Sequence, residues 1–231
     1  MAESPKNSTG TPVQWSDVVR FVRQLSHDLR NHLNAVELQS SFLNELAENA
    51  EQKAEIQRLR GMTAQLSGAL QRLTTSIASV KVTEMPYKAA EFVEDLQHKL
   101  AADFPTESVS VEWTSVVGDE AVSIDPQLLS QAFVELFANA FKHDRGSGAI
   151  SASARIDDGK FAFTLREPKT KFEDSTENWG RPLQRINQGH YGLGLHRARA
   201  ILEAHGGTLH ARYDAPLFIT TIELPLLHQA K

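Results

Sequence analysis

Three segments of the 231-residue sequence combine residue types able to do chemistry on phosphate. The first is Ser26-His27-Asp28-Leu29-Arg30-Asn31. An imidazole such as His27 is a nucleophile near neutral pH when one ring nitrogen keeps its proton and the other presents a lone pair, and an adjacent carboxylate such as Asp28 can hold that proton in place. The second is Glu135-Leu136-Phe137-Ala138-Asn139-Ala140-Phe141-Lys142-His143, which puts a carboxylate and an amide one turn apart, followed by two basic groups. The third is Gly189-His190-Tyr191-Gly192-Leu193-Gly194-Leu195, which runs into a periodic stretch ending at His205-Gly206-Gly207. A glycine cluster that opens a helix leaves backbone N–H groups facing outward with no side chain in the way, which suits a phosphate. The same glycines would also let a helix pack closely on a sheet.

The elements that must position these groups follow from apolar spacing. Ser16, read as an N-cap followed by Asp17, starts a long helical pattern in which Val18, Val22, Leu25, Leu29, Leu33 and Val36 recur at threes and fours. At about 100° per residue, His27 falls about 180° from the middle of the Leu25 and Leu29 stripe, with Arg20, Gln24, Asn31 and Asn34 near the same exposed face. A polar break over residues 47–52 precedes a second pattern through Ile56, Leu59, Met62, Leu66, Leu70, Leu73, Ile77 and Val80. Two such helices form an antiparallel hairpin. They cannot enclose a core on both sides of their stripes, so the hairpin asks for a second copy in a four-helix bundle.

Glu84-Met85-Pro86 marks the change to mixed helix and strand. Phe92, Val93, Leu96 and Leu100 suggest a helix, and residues 109–113 alternate as a strand. Asp125-Pro126 is a helix start, cap then proline, leading through Leu128, Leu129, Phe133, Leu136 and Phe137. Residues 149–156 and 161–165 read as a hairpin around Asp157-Asp158-Gly159. Residues 167–191 are polar and irregular, the length of a functional lid. A helix over 193–205 and strands over 208–213 and 218–224 complete an α+β two-layer sandwich. The expected organisation is a flexible tail over 1–14, a helical hairpin over 15–83 and a sandwich domain over 84–231.

Composition narrows the partners. A formal charge of −5 and a pI near 6.0 argue against a nucleic acid or a membrane surface as the main partner. Cysteine is absent, so disulfide and thiolate chemistry are excluded. No apolar run reaches the length of a membrane span and the first twelve residues lack the apolar core of a signal peptide, so a cytoplasmic protein is expected.

In order and spacing, the three segments resemble the cytoplasmic core of two-component sensor histidine kinases: a dimerisation and phosphoacceptor hairpin followed by a Bergerat-type ATP-binding domain. The resemblance covers nearly all of residues 15–227 and implies a homodimer that autophosphorylates on His27 from ATP and Mg²⁺, then passes the phosphoryl group to an aspartate of a response-regulator receiver domain. It implies that Asp28 favours the reactive tautomer and that Asn31 orients water for dephosphorylating the regulator. It implies that Asn139 holds Mg²⁺, that Glu135 acts as a base, that Lys142 or His143 touches phosphate, and that Gly189, Gly192 and Gly194 form the lid hinge and the phosphate-facing helix start. Lys169, Lys171, Arg181 and Arg185 give the lid a basic content compatible with a triphosphate.

Two positions depart from the family pattern. His32 stands where a helix-bending proline is common. More consequentially, relatives have an aspartate that hydrogen-bonds the adenine amino group and then glycines at two-residue spacing, whereas this chain reads Leu165-Arg166-Glu167-Pro168-Lys169-Thr170-Lys171. Glu167 keeps a carboxylate with one more methylene, and Lys169 and Lys171 replace small residues. ATP is therefore expected to bind weakly. The alternative is a histidine phosphotransferase that relays phosphoryl between receiver domains through His27, the second domain serving as a scaffold.

Overall fold

The structure, a computed structural model, describes residues 13–142, 145–170, 176, 179–180, 182 and 192–227. The chain divides into two compact units, residues 1–78 and 79–231.

The first unit is a hairpin of α1 (Trp15–Leu46) and α2 (Ala50–Ser76). Gln14, not Ser16, caps α1, and it does so without a side-chain bond. Ser16 sits inside the first turn, where Asp17 pairs with Arg20 at 2.8 Å. The turn between the helices is built by two amides: Asn49 Oδ1 accepts from Gln52 N–H (2.9 Å) while Gln52 Oε1 accepts from Glu48 N–H (3.0 Å). This reciprocal arrangement satisfies donors that the first turn of α2 leaves open. α2 stops at Ser76, short of the Val80 expected from periodicity. Thr74 and Ser76 turn their hydroxyls back onto the carbonyls of Leu70 and Arg72, a habit that weakens a helix end.

The side chains buried in this hairpin are mostly small hydroxyls. Ser26, Ser40 and Thr63 are under 10% exposed, and Ser40 and Thr63 satisfy their own hydroxyls on Val36 and Leu59 carbonyls. The apolar stripe stays outside. Phe21, Leu25, Leu29, Val36, Phe42, Leu59, Met62 and Leu66 are all exposed, a run of large apolar side chains of the kind that marks an interaction surface. Polar bonds tie the helices across their seam: Arg30 to Gln71 (2.7 Å) and Arg60 to Glu37 (2.7 Å).

The second unit is a two-layer sandwich. Among the described residues, its larger sheet runs β2-β4-β5-β7-β6, with β2 (Val111–Val116) parallel to β4 (Ile150–Asp157) and β5 (Lys160–Pro168), β7 (Leu217–Pro225) and β6 (Thr208–Asp214) antiparallel. A two-stranded sheet of β1 (Met85–Lys88) and β3 (Ala121–Ile124) was not foreseen from the sequence. Helices α3 (Ala89–Asp103), α4 (Pro126–Lys142) and α5 (Gly194–Ala204) are the helical layer. Aromatic rings fill the space between: Phe133 meets Phe163 edge-on at 4.8 Å, Phe92 meets Phe133 at 5.3 Å and Trp113 stacks on Phe137 at 5.6 Å. Alternation along β5 turns Phe161, Phe163 and Leu165 into this core. The β4–β5 turn has positive φ at both Asp158 (47°) and Gly159 (73°), as the two-residue hairpin signal requires.

Both ends of the helical layer are tied by hydrogen bonds. Asp125 caps α4 by accepting from Leu128 N–H (3.1 Å), and Pro126 fills the first helical position. α5 ends in a Schellman motif: Gly206, at φ 68°, donates to Glu203 O (3.0 Å) and Gly207 to Leu202 O (2.9 Å). Buried His205 joins the two helices. Its Nδ1 lies 2.7 Å from Ile201 O and its Nε2 accepts from Asp125 N–H (3.0 Å), which fixes the tautomer with the proton on Nδ1. Among the described residues, no helix is long and apolar enough to cross a membrane.

Candidate functional site

His27 stands on the solvent face of α1 with 69% of its side chain exposed. Its Nδ1 lies 3.3 Å from Asp28 Oδ1 and 3.5 Å from Asn31 Nδ2, and one nitrogen cannot serve both partners, donating to one and accepting from the other. The carboxylate is nearer, and a bond to an ionised group is the stronger. Nδ1–H therefore points at Asp28 and the Nε2 lone pair faces solvent. Gln24 Nε2 donates to Asp28 Oδ1 at 2.9 Å and steadies the carboxylate. The geometry brings together His27, Asp28 and Asn31, with Gln24 as a support that one-turn spacing made visible.

The second unit holds the other candidates. Glu135 and Asn139 lie one turn apart on α4, while Leu136, Phe137 and Ala140 turn into the core. Gly194, the first residue of α5, approaches Glu135 so closely that a Cβ there would collide with the carboxylate. Glu135 is exposed as a residue, yet its carboxylate abuts the start of α5. Burial of that carboxylate raises its pKa above the usual carboxylate range, and the Lys142 ammonium partly opposes the shift. Gly192 has φ 62°, a conformation in which a side chain is strained. The structure thus joins Glu135 to Gly194, with half-buried Asn139 along the same helix and Lys142 exposed at its end. His143, Gly189, Lys171, Arg181 and Arg185 lie outside the described residues.

The third place is the end of β5. The expected lid does not begin at Glu167, because β5 stays paired with β7 through Pro168 opposite Leu217. The next residue is still held: Lys169 N–H donates to Pro216 O (2.8 Å), Arg145 bridges Lys169, and Gly146 N–H donates to Pro168 O (2.8 Å). Strand alternation puts Glu167 and Lys169 on one face. Their side chains, 2% and 5% exposed, meet as an ion pair with Nζ 2.7 Å from Oε2. Burial pushes the Glu167 carboxyl up in pKa and the Lys169 ammonium pulls it down. Lys169, expected among the basic groups of a lid, is instead a buried partner of Glu167. The signal was present as a Glu-x-Lys step in an alternating strand. His205 was also missed as a link between α4 and α5; only a histidine beside a Gly-Gly helix end hinted at it.

Residues 124–228 match the family described as histidine kinase-, DNA gyrase B-, and HSP90-like ATPase. Over 223 residues the chain is 23% identical to the histidine protein kinase DivJ of Caulobacter vibrioides, covering 90% of this chain and 37% of that protein. It is 24% identical over 217 residues to the sensor histidine kinase ZraS of Klebsiella oxytoca, covering 90% and 46%. The chain therefore spans less than half the length of these curated relatives. Among solved structures, full-length ShkA in complex with AMPPNP superposes with a TM-score of 0.68 at 18% identity, over 92% of this chain and 47% of that one. The histidine kinase ThkA in complex with the response regulator protein TrrA gives 0.58 at 15%, over 90% and 61%. A hairpin of two long helices leading into a sandwich that matches this ATPase family over residues 124–228 is a build the chain shares with these kinases along nine-tenths of its sequence, and in this it is similar to a two-component histidine kinase core.

Proposed function

We propose that His27 is the phosphoacceptor of this core, taking the γ-phosphoryl group of ATP and passing it to an aspartate on the receiver domain of a response regulator. The observation that carries the reading is the exposed ring of His27, with Nδ1–H directed at Asp28 and Nε2 free. In the exchange with the regulator, Nε2 and a carboxylate oxygen of the receiver aspartate compete for one phosphorus. A P–O bond forms to the aspartate as the Nε2–P bond breaks, its electron pair returns to the ring, and Nδ1 keeps its proton throughout. Asp28 favours the imidazolium-like phosphorylated ring by holding that proton. Asn31 is assigned to orienting water in regulator dephosphorylation. ATP and a receiver domain place the reaction in the cytoplasm.

The residues of the second unit meet ATP differently at its two ends. At the phosphate end they fit. Gly194 lets the start of α5 come up to the Glu135 carboxylate with no side chain between them, Asn139 offers a neutral oxygen suited to Mg²⁺, and Lys142 stands exposed at the end of the same helix. Bound there, ATP supplies the phosphoryl group. The role we assign to this chain is to orient the phosphates from α4 and α5, with Glu135, raised in pKa by burial, one turn from Asn139 on the same helix. At the base end the fit fails, because Glu167 is already paired with Lys169. That pair favours a second reading, a phosphotransferase that receives phosphoryl from one receiver and delivers it to another. The hairpin's uncovered apolar stripe supports a homodimer through α1 and α2 in either case.

Labelled donors separate the two. Incubation with γ-labelled ATP and Mg²⁺ is expected to label the chain, and a phosphorylated receiver domain is expected to do so as well. Label from the receiver with none from ATP would make the chain a relay.

A further inference from the structure

The base end of the second unit carries, from the chain itself, the two things a purine brings to a protein: an aromatic face and an exocyclic nitrogen donor. Phe218 lies opposite Glu167 in the β5–β7 register, so both side chains share one face of the sheet. The Trp179 ring packs on Phe218 at 5.3 Å. Trp179 is itself held from α5, where Arg199 donates to the Trp179 carbonyl at 3.2 Å. Beside them Lys169 places its ammonium on the Glu167 carboxylate, both side chains at 5% exposure or less.

A buried lysine is rare without a partner, and this one is fixed by its backbone on both sides. The pair is a poor stability device, since apolar replacement of a buried ion pair is often neutral or favourable. Its effect falls on a ligand. An amino group seeking Glu167 must first displace an ammonium that is covalently tethered two residues away, charged, and at high effective concentration.

We propose that Lys169 is an internal occupant of the base-recognition carboxylate, and that it cancels discrimination between purine nucleotides bearing an amino group and those bearing an oxo group at the ring position that faces Glu167. Nucleotides then bind through their phosphates, on the Asn139 and Gly194 side, and the base contributes little. This rests on the reading of the second unit as a nucleotide-binding domain.

The test is calorimetric binding of non-hydrolysable ATP and GTP analogues with Mg²⁺ to the whole chain. Wild type is expected to bind the two within about three-fold of each other. Lys169→Met keeps the stem and removes the ammonium. It is expected to raise ATP affinity at least about ten-fold while leaving GTP unchanged, the scale of one hydrogen bond to a charged group. The double variant Glu167→Gln/Lys169→Met is expected to lose that gain, with a thermal melt confirming that each variant is folded. An adenine preference of ten-fold or more in wild type, abolished by Glu167→Gln, overturns the inference and upholds the nucleotide-binding reading, without any need for a Lys169 variant. Binding of neither analogue by wild type or by folded Lys169→Met overturns both. Asn139→Ala provides the separate control: it is expected to weaken ATP and GTP alike.

Discussion

Replacing Gly194 with alanine places two effects of similar size in opposition. A Cβ at this position runs into the Glu135 carboxylate, which is the far end of a flexible side chain, so the carboxylate turns aside and the backbone stays put. An off-rotamer side chain costs about 0.5–1.5 kcal/mol. Exchanging glycine for alanine within a helix returns up to about 1 kcal/mol, less at a first helical position such as this one. The net change in stability is therefore expected to lie within about 1 kcal/mol of zero. The coupling is more informative. With Glu135→Ala in place the collision disappears, so a double-mutant cycle by urea denaturation should return a coupling of about 0.5–1.5 kcal/mol between positions 135 and 194. Gly194→Ala should also weaken nucleotide binding, because the displaced carboxylate and the added methyl group occupy the phosphate end. An equal Gly194→Ala effect with and without the Glu135 carboxylate would refute the reasoning, as would a loss of several kcal/mol, which would mean that backbone sets the limit.

Light scattering should return twice the 25.6 kDa chain mass at micromolar concentration, and Leu25→Glu/Leu29→Glu on the exposed stripe should return the monomer; a monomeric wild type would contradict the bundle. His205→Phe leaves the partly buried Asp125 N–H without its acceptor, a loss of about 1–3 kcal/mol that should lower the melting temperature of the second unit by roughly 2–12 °C. An unchanged melt would show that the α4–α5 link is dispensable. The raised pKa of Glu135 means that the folded state holds its proton longer than the unfolded chain does. Its contribution to stability is thus present below the ordinary carboxylate range and is lost as pH rises through the folded value, a fall that Glu135→Gln should flatten in pH-dependent urea melts.

Much of this architecture is legible because period and punctuation agree locally. The stripes of α1 and α2, Asp125-Pro126 at the start of α4, Asp157-Asp158-Gly159 between β4 and β5, and the Gly-Gly end of α5 each satisfy a backbone requirement within a few residues. What escaped depends on partners distant in sequence. β1 and β3 are four residues each and gain their identity only by pairing across residues 85–124. Glu167 and Lys169 read as pieces of a lid because Pro168 and two nearby cations resemble loop composition. The β7 partner and the Arg145–Gly146 segment that keep them extended lie far along the chain. At the candidate site, the contact of Gly194 with Glu135 spans 59 positions and has no local signature, although both residues stand out separately.

The phosphoacceptor claim is tested most directly by mapping the label. After exposure to γ-labelled ATP with Mg²⁺, or to a labelled phospho-receiver, the chain should carry an acid-labile phosphoryl group on the peptide containing His27, and His27→Ala should carry none while its melting profile stays that of wild type. Label that persists in folded His27→Ala, or that maps to another residue of the wild-type chain, would contradict the account.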